Sequence, residues 1–321
     1  MKILWLFRYK PHWDWNRWFH MDFAEELAKQ KGIELKSYGK GMTSSYPQFD
    51  LQQYSPSTSI EKLRQKFKFD IIIMDGRARM VTTNRSKNTI LPKNFDEFKD
   101  TPKIMIEGDY HNYKDFNWFL KRGVNIILHR HKNNVEKGEK NLPNIKHIWF
   151  PCSVDNTIFK PNPNINRVNK FCFIGGLNCC YIHRKKAINK LNKQNLIEVL
   201  HHRLKGQSYV NCLQSYVSHV NGSSLFNIET AKMFEIMACG SVLFTDEGKG
   251  DGLKRLFVEG SYVTYKRDFS DIISKARKIL NNVKYRKNIT SKAIDCINKR
   301  HTHTIRAQEL LKIIKENYDI C

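Results

Sequence analysis

The chain has 321 residues, is 40% hydrophobic and 12% aromatic, and carries 55 Lys/Arg against 31 Asp/Glu, a net charge of +24. That length fits two domains of roughly 150 residues, each with its own core, and the composition excludes wholesale disorder. No apolar run approaches the roughly 18 to 20 residues that span a bilayer. The first apolar stretch is too short for a signal-peptide core. The eight cysteines, with Cys179 and Cys180 adjacent, fit reduced thiols better than a disulfide framework. A cytoplasmic chain without a transmembrane segment is expected.

In chain order, apolar runs alternate with helical patterns. Lys2–Phe7 reads as a strand, HMDFAEELAKQ as an amphipathic helix, and IELKSY, DIIIMD, KIMIEGD and NIILHR as further strands, with a helix in DFNWFLKRG. DIIIMD and NIILHR are continuously apolar at their centres, as strands buried on both faces of a parallel sheet are. A connector follows at residues 150–170, with three prolines and five asparagines. Alternation restarts with the strand FCFIGG, a helix in RKKAINKLNKQ, a strand in NLIEVLHH and a helix over SYVNCLQSYVSHV. After these come SSLFNI, a helix in TAKMFEIMACG, the strand SVLFTD, a helix in GLKRLFVEG, the strand SYVTYK and about three closing helical segments. The pattern predicts two doubly wound α/β domains, 1–150 and 151–321, with a ligand cleft between them and final helices crossing back to the first domain.

Charge is spread over both halves. Residues 1–150 hold 27 basic and 17 acidic side chains, and residues 151–321 hold 28 and 14. A polyanionic partner and a Lys- and Asn-rich composition both account for this.

Several signatures are absent. There is no GxxxxGK[ST] and no GxGxxG after a strand, and no Asp-x-Asp of the kind that holds a divalent ion. The pairs His129/His131, His201/His202 and His301/His303 lack ligands at metal spacing, so they read as surface or helix-end residues and no metal site is expected.

Two stretches carry candidate chemistry. Glu107, Asp109 and His111 fall at the carboxyl end of a predicted strand, the edge that lines the cleft in open parallel sheets. Asp109 and His111 are close enough to converge on one acceptor hydroxyl as base and orienter. In FRYKPHWDWNRWF, the residues Arg8, Trp13, Trp15 and Arg17 interleave cations with aromatic faces, which suits stacking on sugars or unstacked bases beside phosphates.

Lys232, Phe234-Glu235, Met237-Ala238, Gly240 and the strand ending Thr245-Asp246 together resemble the donor-site signature of GT-B glycosyltransferases of the group 1 type, nearest the CgeB-like, spore-maturation branch. GLKRLFVEG, HTHTIRAQELL, PCSVDNTIFKP, and FCFIGG followed by Arg184 extend the resemblance over roughly residues 150–310. It implies two Rossmann-like domains and transfer of a sugar from a nucleoside-diphosphate sugar to an acceptor hydroxyl. It also implies retention of configuration, and neither metal nor cofactor beyond the sugar nucleotide. By the same resemblance Glu235 holds the ribose, Lys232 and Arg184 neutralise the diphosphate, Gly175 and Gly176 let the backbone approach it, and Tyr209 lies near the base. Two positions depart from the pattern. Asn227, with Glu229 nearby, stands where a first glutamate is usual, and Lys232 replaces a common Arg. One acceptor reading is DNA with hydroxymethylated bases. The alternatives are a cell-surface glycan or protein, or a non-catalytic nucleic-acid-binding protein with a degenerate donor domain.

Overall fold

The computed structural model describes residues 1–7, 17–75, 91–107, 117–177, 181–200, 204–222, 229–248 and 250–320. The alternating pattern builds a parallel sheet twice. The chain divides into one unit of Met1–Pro151 with Arg306–Cys321, and a second of Cys152–Ile305.

In the first unit the strands are β1 (Lys2–Leu6), β2 (Glu34–Tyr38), β3 (Ile71–Asp75), β4 (Lys103–Ile106), β5 (Ile126–His129) and β6 (Lys146–Trp149). They pair in the order β2-β1-β3-β4-β5-β6, all parallel. Every side chain of β3, β4 and β5 is buried, which explains their unbroken apolar runs. Helices α1 (Arg17–Ala28), α2 (Met42–Ser45), α3 (Ile60–Lys66), α4 (Asn117–Lys121) and α5 (Lys132–Asn141) connect them. Helix α1 buries Phe23, Ala24 and Leu27 on one face, and α3 is capped by Ser59, whose hydroxyl accepts from the Lys62 N–H. The amphipathic stretch of α12 (His303–Asn317) adds Leu310 and Ile314 to this core.

In the second unit β7 (Val168–Ile174), β8 (Ile197–Leu200), β9 (Tyr216–Val220), β10 (Val242–Asp246) and β11 (Val263–Tyr265) pair as β11-β10-β9-β7-β8, again all parallel. Its helices are α6 (Ile182–Asn192), α7 (Gly206–Ser215), α8 (Ala231–Ala238), α9 (Gly252–Leu256), α10 (Ile272–Asn281) and α11 (Val283–Arg300).

Two expectations are corrected. SYVNCLQSYVSHV is not one helix: α7 stops at Ser215 and the central strand β9 begins at Tyr216. The polar pair Ser218-His219 masked this strand by breaking its apolar run. Both are buried, with Ser218 Oγ donating to the Val242 carbonyl at 2.9 Å and His219 Nε2 to the Leu213 carbonyl at 3.2 Å. SSLFNI (223–228) lies outside the described residues.

The histidine expectation also changes. His129 is fully buried, its Nδ1 2.7 Å from Glu107 Oε2 and its Nε2 2.8 Å from His147 Nδ1. His147 Nε2 donates to the Leu142 carbonyl at 3.0 Å, so its Nδ1 is the acceptor of a neutral ring and His129 Nε2 must donate to it. Asn134 Nδ2 reaches both Glu107 oxygens, at 3.0 and 3.1 Å. Gly138 makes room: a Cβ there would lie 2.4 Å from His147 Nδ1. His131, His301 and His303 do stand at helix ends, as expected (the N-cap of α5, the C-cap of α11 and the first residue of α12), and are buried there, whereas His201 and His202 lie outside the described residues.

Candidate functional site

In open parallel sheets ligands gather outside the carboxyl ends of the strands, where the strand order reverses. In the second sheet that point lies between β7 and β9. Strand β7 runs into Gly175-Gly176, and β9 into Asn221-Gly222. Arg184, 4% exposed on α6, ties the two loops. Its Nε and Nη2 donate to the Gly222 carbonyl at 3.0 and 2.7 Å, its Nη1 lies 3.5 Å from the Gly176 carbonyl, and Tyr181 stacks beneath it at 4.0 Å. Three of its five N–H groups thus serve the loops themselves, and two remain for a ligand.

Helix α8 adds the ionisable pair. Thr230 is its N-cap, and Asn221 Nδ2 holds the Thr230 hydroxyl at 2.7 Å, fixing the helix start beside the β9 loop. From the first turn Lys232 Nζ donates to the Ile174 carbonyl, between the rings of Phe173 and Tyr209. Gly175 has φ +145°, a backbone angle that favours glycine, and a Cβ on it would lie 2.8 Å from Lys232 Nζ. One turn on, Glu235 is 3% exposed and its Oε2 accepts from the Tyr209 hydroxyl of α7 at 2.5 Å.

Burial dominates the electrostatics. It lowers Lys232 to about 8, helped by the neighbouring Arg184 charge and opposed by Glu235. It raises Glu235 to about 7 against the opposing pull of the Tyr209 hydroxyl and Lys232. Tyr209 is pushed well above its ordinary value by burial and then by Glu235. Groups perturbed by burial together with a specific charged neighbour, at the carboxyl edge of a sheet, make this a candidate functional site.

These shifts have opposite consequences for folding. Glu235 favours the folded state below about pH 4.5, and that contribution is lost as pH rises through about 7. Lys232 contributes above about 10.5 and loses it as pH falls through about 8. Near neutrality the unit therefore carries both costs. Glu235→Gln removes one of them, so its stability relative to wild type should improve by about 2 kcal/mol between pH 5 and pH 8. Urea unfolding at the two pH values checks this; a pH-independent difference would contradict the buried, titrating carboxyl.

The other expected residues separate into two sets. Gly175, Gly176, Arg184, Tyr209, Lys232 and Glu235 come together around the β7 and β9 ends, although Arg184 and Lys232 have backbone carbonyls as partners. Arg8, Trp13, Trp15, Asp109 and His111 lie outside the described residues, as do Asn227 and the side chain of Arg17. Their approaches are described: β1 hands the chain to residues 8–16 at the reversal point of the first sheet, and β4 ends at Ile106, one residue before Glu107 and the segment 108–116. Glu229 is 8% exposed and packs on the start of α9, where a Cβ on Gly252 would fall 1.8 Å from its Oε1.

The sequence reading missed the pair closing this edge, Asp246 and Arg267. Asp246 is fully buried at the end of β10 and accepts from Arg267 Nη1 at 2.7 Å. The signal was the acidic end of SVLFTD, but its partner stands 21 residues away. Among the described residues no cluster of three or more His, Cys, Asp or Glu is arranged to hold a metal ion. No helix among them is long and apolar enough to cross a membrane.

Residues 185–312 match the family model described as glycosyl transferase-like. Solved structures of similar fold include a glycosyltransferase from Rickettsia africae (12% identity, TM-score 0.66, 98% of each chain covered). Anabaena HepE, solved in complex with UDP, matches at 11% identity and TM-score 0.65, over 98% of this chain and 100% of HepE. Sucrose-phosphate synthase from Thermosynechococcus elongatus matches at 10% identity and TM-score 0.64, over 98% of each. The search of curated proteins returned no match. The fold is that of the GT-B glycosyltransferases, and the family match with these neighbours supports a glycosyltransferase.

Proposed function

We propose that the second unit binds a nucleoside-diphosphate sugar at the β7 and β9 ends and that the chain transfers the sugar to an acceptor hydroxyl. The observation that carries this reading is the buried Lys232–Glu235–Tyr209 cluster against Gly175, at the sheet's reversal point. On this reading the acceptor oxygen bonds the anomeric carbon as the bond to the leaving diphosphate breaks. The hydroxyl proton passes to a base, and nucleoside diphosphate departs. Lys232 turns from the Ile174 carbonyl to the diphosphate, Arg184 offers its remaining donors, and Glu235 accepts from the ribose diol. Burial makes each of these contacts stronger than it would be in water.

The finer parts of the proposal are retention of configuration, independence of metal, and membership of the CgeB-like branch, which rests on Phe234-Glu235, Met237-Ala238 and Gly240. Asp109, with His111, is proposed as the acceptor-side acid–base group. Asp109→Asn should leave donor affinity unchanged while turnover falls by about 10²–10⁴; an active variant would move that role elsewhere. Net charge supports hydroxymethylated duplex DNA as acceptor, bound through Arg8, Trp13, Trp15 and Arg17. A mass gain of one sugar per modified base tests it. A hydroxyl presented at an anionic membrane surface is favoured instead by where the second unit concentrates its charge. Thermal stabilisation by a panel of nucleoside diphosphates and their sugars tests the donor site itself, and a flat response to all of them would refute it.

A further inference from the structure

Helices α6, α10 and α11 cover the second sheet together. Helix α10 packs against both α6 and α11, and the three bury Ala187, Ile188, Ala276, Ile279 and Ile289 in one core. Arg277 Nη2 also bonds Gln194 Oε1, just beyond α6, at 2.9 Å. Their outward faces are almost wholly basic. Apart from the buried Arg184, α6 carries three lysines, α10 three Lys/Arg and α11 six, against Asp295, which pairs with Lys299, and Asp271 at the N-cap of α10, which pairs with Lys275.

A Lys-rich composition does not account for this. It would enrich lysine everywhere, yet other helices mix signs. Helix α5 carries Glu136 and Glu139 among three lysines, α12 carries Glu309 and Glu316 paired to Arg306 and Lys312, and α1 is net acidic. Within the helices of this layer the only acid is Asp295, and the one at their caps, Asp271, is paired to Lys275.

Two features select the partner. The exposed cations are mainly lysines: Lys185, Lys186 and Lys190 on α6, Lys278 on α10, Lys284 and Lys287 on α11. Lysine is a hydrated point charge suited to a diffuse anionic field, whereas base reading draws on the bidentate arginine fork. The layer's aromatic rings are already covered, Phe269 by Lys190 at 5.4 Å and Tyr285 by Lys278 at 4.6 Å, so they offer no stacking platform for bases. The helices instead open on exposed aliphatics, Ile182 at the start of α6 (49% exposed) and Val283 at the start of α11 (53%). Lysines with aliphatic residues at their margin suit an anionic lipid surface.

We propose that the α6–α10–α11 layer docks the protein on an anionic membrane surface. This goes beyond donor binding and is tested without sugar transfer. The full chain is sedimented with vesicles of phosphatidylcholine containing phosphatidylserine, and with pure phosphatidylcholine, at 0.1 and 1 M salt. Binding is expected only to the anionic vesicles and only at low salt, since the Debye length contracts from about 10 to about 3 Å. The variant Lys185→Glu/Lys186→Glu/Lys284→Glu/Lys287→Glu should bind at least about 100-fold more weakly. Lys62→Glu/Lys66→Glu/Lys137→Glu/Lys140→Glu, with the same change in net charge on the first unit, should bind as wild type. Ile182→Ser/Val283→Ser should weaken binding with the charge intact. Circular dichroism and nucleotide stabilisation confirm that each variant is folded. Equal loss in both quadruple variants would reduce the effect to net charge and overturn the proposal. So would an absence of vesicle binding, or capture of duplex DNA through the Lys185 set while vesicles stay free. None of these outcomes touches the donor-site reading, which the nucleotide panel tests separately.

Discussion

Lys232→Met is expected to remove most turnover while leaving the second unit at least as stable as wild type. The ammonium is buried, its charged state disfavoured, and its protein partner is one backbone carbonyl, that of Ile174. A methionine of similar length fills the space between Phe173 and Tyr209 without that desolvation cost. What disappears is the cation facing a departing diphosphate, a contribution of about 3–4 kcal/mol in comparable preorganised sites, or 10²–10³ in rate. Donor affinity should fall by about 1.5–3 kcal/mol, the range for hydrogen bonds to charged groups. Melting temperature and donor titration on one preparation separate the two effects. A purely structural lysine would give the reverse result, lower stability with unchanged donor binding.

Gly39→Ala is expected to unfold the first unit. Gly39 follows β2 where it lies beside the end of β1, and Phe7 N–H donates to the Tyr38 carbonyl at 3.2 Å. A Cβ on Gly39 would fall 1.5 Å from the Phe7 carbonyl oxygen and 2.7 Å from its carbon. Both are main-chain atoms of the buried residue that directly follows β1, the central strand paired to β2 on one side and β3 on the other. No rotamer change relieves that overlap, so the strands must part, at a cost above about 4 kcal/mol. Soluble yield and urea unfolding are the readouts. A wild-type unfolding curve would mean that the β1–β2 contact is looser than described.

These two residues differ in how far the sequence reveals them. Lys232 is legible because it stands in a linear pattern, three before Glu235 at the start of a short helix. Gly39 gives no such signal, since its need for a missing side chain arises from Phe7, 32 positions earlier. The same division runs through the fold. DIIIMD, NIILHR and SVLFTD show themselves as strands through continuous apolar runs. Strand β9 does not, because Ser218 and His219 are satisfied by carbonyls that only the folded sheet supplies. Short β6 and helix α5 went unread for a related reason. Their buried members include His147, Asn134 and Gly138, which are inward-facing only because Glu107 and His129 meet them. At the site, the sequence supplies the cast around Glu235. It does not supply the Tyr209 hydroxyl bond, the Arg184 tie between loops or the Asp246–Arg267 pair, which join residues 26, 38 and 21 positions apart.

The most direct test of the donor site is a calorimetric titration of the full chain with UDP and with other nucleoside diphosphates, beside Lys232→Met and Glu235→Ala. The account predicts saturable binding of at least one nucleoside diphosphate by the wild-type protein. It predicts affinity weaker by about 1.5–3 kcal/mol in each variant, with melting temperatures that show both to be folded. Wild-type binding that both variants retain in full would place the nucleotide away from the β7 and β9 ends and contradict the assignment.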